Sequence, residues 1–148
     1  PPPPSLLPLR LVIRYIAMAI ANCSGSGLPV HAKASPKLSQ GQLARFRSNA
    51  SIFGQLGTVA NLVSYLTSTD TNVLCQTSRA LANLTVAPEN CKELSAIDKT
   101  EGCILRLSML VGDSNRELAE AAAETLEHVV AARRELQGEK STITKKWR

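Results

Sequence analysis

Shifted against itself by 45 residues, the chain aligns like with like and needs no gap. This internal repetition limits the folds open to it more than any other feature. Gly57 falls on Gly102, Val59 on Ile104, Leu62 on Leu107, Leu66 on Val111 and Asp70 on Asn115. Val73 then meets Leu118, Leu81 meets Leu126 and Leu84 meets Val129. Turn residues agree as well as apolar ones, so shared composition does not account for the match. Each copy reads as helix, turn and longer helix. In GTVANLVSYL, the residues Val59, Leu62, Val63 and Leu66 recur at helical spacing. TSTDTN supplies short hydroxyl and Asx side chains suited to capping the helix that follows. That helix, VLCQTSRALANLTV, carries Val73, Ala80, Leu81 and Leu84 on one side. Pro88 opens a short helix, PENCKELSAI. The second copy continues through GCILRLSMLV, a GDSN turn and a long last helix, RELAEAAAETLEHVVAARREL.

Part of an earlier unit is also legible. AIANC at 19–23 matches ALANL at 80–84 and reads as the end of an earlier long helix. The offset of 61 residues exceeds one period by sixteen, and the excess falls between Ser24 and Asn49. There SGSGLPVHAKASPKLSQGQLARFRS mixes Gly, Ser, Pro and Lys without periodicity, as a loop does. The expected organisation is a Pro-rich unstructured start at 1–9 and the last helix of a partial repeat at 10–23. A basic loop insertion follows at 24–48, then a repeat at 49–93, a terminal repeat at 94–138 and a basic, unordered tail at 139–148. The expected fold class is an all-α helical-repeat solenoid, in which each unit covers the apolar stripe that its neighbour cannot bury alone. Since about three repeats are needed for independent stability, two full units and a broken one read as the terminal piece of a longer array.

Composition agrees with this plan. Of 148 residues, 44% are hydrophobic and only 3% aromatic, so Leu, Ala, Ile and Val must fill the interior, which favours close helix packing. The net charge of +5 is unevenly spread: Arg10, Arg14, Lys33, Lys37, Arg45 and Arg47 all precede the first acid, Asp70. Such a basic first half can meet an anionic partner, but it reads more simply as a solvated segment. Nucleic acid ranks last among partners, because Tyr15 and Phe46 are the only aromatics there able to stack on bases. The cysteines Cys23, Cys75, Cys91 and Cys103 form no C-x-x-C pair and have no histidine at metal-ligand spacing. They are expected to be small buried residues in a reducing compartment, with no metal and no cofactor. The apolar run LLPLRLVIRYIAMAIANC is interrupted by Arg10 and Arg14 and is too short to span a bilayer, so no membrane segment is expected.

The helix G-x-V-x-x-L-V-x-x-L, the turn with Asp-x-x-V and the A-L-x-N-L long helix, all within residues 52–87, resemble the armadillo-repeat family. The resemblance covers about residues 10 to 136 outside the loop and implies a right-handed superhelix that binds other proteins. In that family, extended segments lie along a concave groove lined by the long helices. The matching rows here are Tyr15, Gln76 and Ala121; Met18, Arg79 and Glu124; and Asn22, Asn83 and His128. An Asn on such a row has the donor and acceptor needed to hold an extended backbone. A structural role between adjacent long helices is equally open for Asn22 and Asn83. Family members that carry nuclear-import peptides place a Trp four residues before that Asn. Met18, Arg79 and Glu124 hold those places here, which weakens an import reading.

IRYIAMAIANC, RSNASIFGQLGTVANLVSYLTSTDTNV and MLVGDSNRELAEAAAETL look most like ciliary members of the family. Those members help dock outer dynein arms. The resemblance implies a non-catalytic scaffold of the cytoplasm and the ciliary axoneme. Its implied partners are docking-complex subunits, outer-arm dynein and the doublet microtubule, with no small-molecule substrate. The alternative is a soluble peptide-binding adaptor or transport receptor.

Reaction chemistry is not apparent in the sequence. There is no Walker loop, no G-x-G-x-x-G and no G-x-S-x-G elbow. His31 falls in the expected loop and His128 near a helix end, neither beside a convincing Cys or Ser nucleophile. Glu117, Glu120, Glu124 and Glu127 recur at helical spacing and read as a solvated face. Arg79, with Tyr65 or Phe53, is the expected anchor for a protein partner, although both aromatics also suit the core.

Overall fold

A computed structural model describes residues 40–146, without the side chains of Gln42 and of residues 139–146. The described residues form six helices and no strand: α1 (Gln40–Gln55), α2 (Thr58–Tyr65), α3 (Thr71–Leu84), α4 (Pro88–Glu101), α5 (Cys103–Leu110) and α6 (Arg116–Lys146). The expected helix at 10–23, with Tyr15, Met18, Asn22 and Cys23, lies outside these residues, as does His31.

The 45-residue translation is visible in the helix boundaries. The starts of α2 and α5 are one period apart, as are their ends and the starts of α3 and α6. Gly57 and Gly102, one period apart, both take left-handed backbone angles, with φ of 74° and 63°. At these positions one helix ends and the next begins at once, a reversal that an L side chain would strain. The caps repeat too. The Asp70 carboxylate accepts the amides of Asn72 at 2.9 Å and Val73 at 3.4 Å. The Asn115 Oδ1 accepts the amide of Leu118, the counterpart of Val73, at 3.2 Å.

One continuous core joins the two units. Leu62, Leu81, Leu84, Leu94, Leu107 and Leu118 are fully buried, each contributing roughly 1.5–3 kcal/mol of transfer free energy. Leu126, the counterpart of Leu81, packs against the same cluster, as do Phe53 and Tyr65. The most extensive packing is between α3 and α6, which lie side by side. Cys75, Cys91 and Cys103 are free and buried, and burial raises all three thiols. For Cys91 the rise is to about 11, with Glu135 and Glu89 adding to it, and for Cys103 also to about 11, with Asp98 adding. They are inert space-fillers at neutral pH.

Two expected boundaries need correction. The basic loop was drawn to residue 48, yet α1 begins at Gln40. Leu43, Phe46, Ala50 and Phe53 follow a helical spacing there, and Phe46 and Ala50 are buried. The basic tail was expected to be unordered, but α6 continues to Lys146. No proline or glycine stop separates the tail from the helix before it, apart from a single exposed Gly138 that a helix tolerates.

The joint between units depends on Asn90, which the sequence did not single out. It is 2% exposed. Its Nδ2 donates to the Ala50 carbonyl at 2.8 Å and to the Leu84 carbonyl at 2.7 Å, tying α4 to both α1 and α3. Gly54 makes room for this amide: a Cβ built there would overlap Asn90 Oδ1. Asn90→Ala should lower stability by about 1–3 kcal/mol in urea unfolding, because the lost donor leaves buried carbonyls short of a partner. Gly54→Ala should also destabilise the parent chain. In the Asn90→Ala background the same change should be neutral or stabilising by up to about 1 kcal/mol, since the clash is gone and Ala favours helix. A simple sum of the two effects would contradict this account.

Candidate functional site

The long helices α3 and α6 present the residues that the sequence placed in rows. Because α3 and α6 start one period apart, Gln76 aligns with Ala121, Arg79 with Glu124 and Asn83 with His128. The members of these rows differ in accessibility, and Arg79 reaches Glu117 across the seam rather than its row partner Glu124. Gln76, Arg79, Glu124 and His128 are half-buried. Ala121 is fully buried and lines no groove. Asn83 is only 8% exposed and is not without an interaction of its own. Met18, Asn22 and Tyr15 complete the expected rows only outside the described residues.

Arg79 is the centre of the polar part. Its Nη1 donates to Gln76 Oε1 at 3.2 Å, one helical turn back. Its Nε lies 3.5 Å from Glu117 Oε1 on α6, an ion pair without the alignment of a hydrogen bond. The Arg side chain is 20% exposed and the Glu 40%, so the pair is worth at most about 1 kcal/mol. Its value is positional. The guanidinium links α3 to α6, and Glu124 lies about two helical turns beyond Glu117 on α6. Ala80 and Leu81 of α3 and Ala122 and Thr125 of α6 are fully buried in the packed interior of the same two helices.

His128, placed by the sequence on a groove row near a helix end, makes a contact between helices. Its Nδ1 lies 3.0 Å from Thr85 Oγ1. The Thr85 hydroxyl donates to the Leu81 carbonyl at 2.9 Å, which leaves its oxygen to accept a proton from Nδ1. The imidazole therefore spans α3 and α6. Burial holds its pKa below the ordinary histidine range, against the raising effects of Glu127 and of the Ala82 backbone; Arg47 lowers it further. The expected anchors Tyr65 and Phe53 are part-buried against the core, and Arg79 is part-buried as well.

Among the described residues, no group of three or more His, Cys, Asp or Glu side chains is placed to hold a metal ion. Among the same residues, no helix is long and apolar enough to cross a membrane.

The lowered pKa of His128 has a thermodynamic consequence with a definite sign. The unfolded chain takes up the proton first, so stability is full above the ordinary histidine pKa. It falls as pH drops from about 6.5 toward the lowered native value. Urea midpoints measured from pH 7.5 to pH 5.5 should decline more for the parent than for His128→Asn. Parallel declines would contradict the buried, neutral imidazole.

No family model matches the chain. Over 86 residues it is 34% identical to the armadillo repeat-containing protein gudu of Drosophila melanogaster. That match spans 58% of this chain and 12% of the length of that relative. With the repeated left-handed glycines and helix caps, the likeness supports the armadillo-repeat family, and the fold is an all-α, armadillo-type helical repeat.

Proposed function

We propose that the chain is a non-catalytic protein–protein interaction module, a stacked helical segment that holds partner proteins along its long helices. The observation that carries this reading is the seam between α3 and α6. There Gln76, Arg79, Glu117 and Glu124 are part-exposed, Arg79 joins Gln76 and Glu117 across the seam, and Ala80, Leu81, Ala122 and Thr125 of the same helices are fully buried. A preorganised row of this kind limits the side-chain ordering that binding would otherwise cost. An arginine on a rigid base is also a frequent anchor in protein interfaces.

At finer resolution, the reading is a structural component of the ciliary axoneme that helps dock outer dynein arms to doublet microtubules. Its partners would be docking-complex subunits, outer-arm dynein and the microtubule wall. What supports it is the resemblance of residues 47–73 and 109–126 to ciliary armadillo repeats. A similarity to an armadillo repeat-containing relative is compatible with it.

Proximity labelling from the full chain in ciliated cells tests both levels. Dynein-docking subunits should be enriched, and the enrichment should fall several-fold for a Gln76→Ala, Arg79→Ala double variant whose circular dichroism is unchanged. Recovery of import cargo or signalling peptides in their place would favour a soluble adaptor or transport receptor. Labelling that ignores the double variant would remove the α3–α6 row from the interface.

A further inference from the structure

A cleft of about 250 Å³ lies between α4 and α6. Cys91, Val129, Ala132 and Leu136 supply its apolar lining, and Lys92, Lys99 and Arg133 its charge. One period earlier, the same positions are Phe46, Arg47, Gly54, Leu84 and Ala87. That earlier surface is not empty, because α4 itself sits on it. Asn90 bonds to the Ala50 and Leu84 carbonyls, the Cys91 thiol donates to the Thr85 carbonyl at 3.1 Å, and Leu94 is fully buried. The cleft is therefore a helix seat, the second instance of one that the first unit fills.

A third unit docked in the same manner does not fit this seat. Lys99 stands where Gly54 admits the Asn90 amide, so the clasp that joins the first two units has no counterpart. In addition, α3 stops at Leu84 and Pro88 turns the chain into α4, whereas α6 runs straight past Val129 and contributes Arg133 and Leu136. The geometry points to a docking seat for an acidic amphipathic helix of a partner protein. Its apolar stripe would enter between α4 and α6, and its carboxylates would meet Lys92, Lys99 and Arg133.

Charge complementarity selects this occupant. The lining holds three cations and no carboxylate. All three cations are exposed, and among the described residues none is engaged in an ion pair. The chain's own residues before Asp70 carry six bases and no acid, so they would be repelled. The volume lies below the ~300–1,000 Å³ usual for small-molecule pockets, and suits a few side chains inserted from a helix laid in a groove. This surface is separate from the α3–α6 row, and its failure would leave the function proposed above intact.

The test uses the full chain and a fluorescein-labelled model helix with Leu at i, i+3, i+4 and i+7 and Glu elsewhere. A matched helix with Lys in place of Glu is the control, and binding is read by fluorescence anisotropy. The Glu helix should bind saturably and the Lys helix should not. Combined Lys92→Glu, Lys99→Glu and Arg133→Glu changes should weaken Glu-helix binding by at least about tenfold and admit the Lys helix. Ala96→Trp, which fills the cleft from an exposed position, should block the Glu helix with the urea midpoint unchanged. The Gln76→Ala, Arg79→Ala variant should bind the Glu helix like the parent. Equal binding to parent and charge-reversed chain, loss with the Gln76 and Arg79 changes, or no saturation at about 1 mM would each overturn the assignment. So would a dimer in light scattering that the charge reversal dissolves, since the occupant would then be a second copy.

Discussion

A short helix pair has an apolar stripe wider than it can cover by itself, and every other feature of this structure follows from how that stripe is closed. The solution is lateral: α3 lies against α6, and the leucines of one unit complete the interior of the next. Stability on this plan is a property of the joint between units and not of either unit alone. Small residues make the approach possible. Ala80, Ala121 and Ala122 are fully buried along α3 and α6, and three cysteines fill gaps that a larger side chain would force apart.

Thr77 Oγ1 and Ser78 Oγ are buried on α3 without a hydrogen-bond partner, but other polar groups at the joint have partners that fix register. Asn90 meets carbonyls from two helices, His128 meets Thr85 across the seam, and the Cys75 thiol lies 3.6 Å from Asn115 Oδ1. A buried polar contact of this kind adds little net stability but heavily penalises a slipped register, because slippage leaves its groups unpaired. Apolar stacking thus supplies the driving force, and a handful of hydrogen bonds selects one alignment among several that would bury similar area.

Translation of the backbone by one period does not translate the surface. Ala60 and Ser64 of α2 become Leu105 and Met109 of α5, which are 68% and 72% exposed. Cys75 and Ala82 of α3, both buried, become Glu120 and Glu127 of α6. Charged residues at those places suit a face that meets water or a partner, and would be costly if another identical layer covered them. The outer side of the second unit is thereby chemically distinct from the inner joint, although the helices beneath it are nearly superposable in plan.

Much of this architecture could be read from residue order. The period, the two glycines, the caps at Asp70 and Asn115, Pro88 at a helix start and the pairing of Leu81 with Leu126 all rest on local rules. Backbone angles, capping and helical spacing act within a few residues, so they leave marks in sequence. Helix formation at 40–48 was legible in Leu43 and Phe46, but the surrounding Gly, Ser and Lys content obscured it. What tertiary structure alone decided was accessibility and partnership: that Ala121 is buried, that Asn83 is engaged, that His128 is an interhelical link, and that Gly54 exists to admit Asn90. These depend on which faces meet after α4 folds back over α1 and α3. Residues 36 or more positions apart then share a surface, and no local rule reports the separation of two side chains across such a joint.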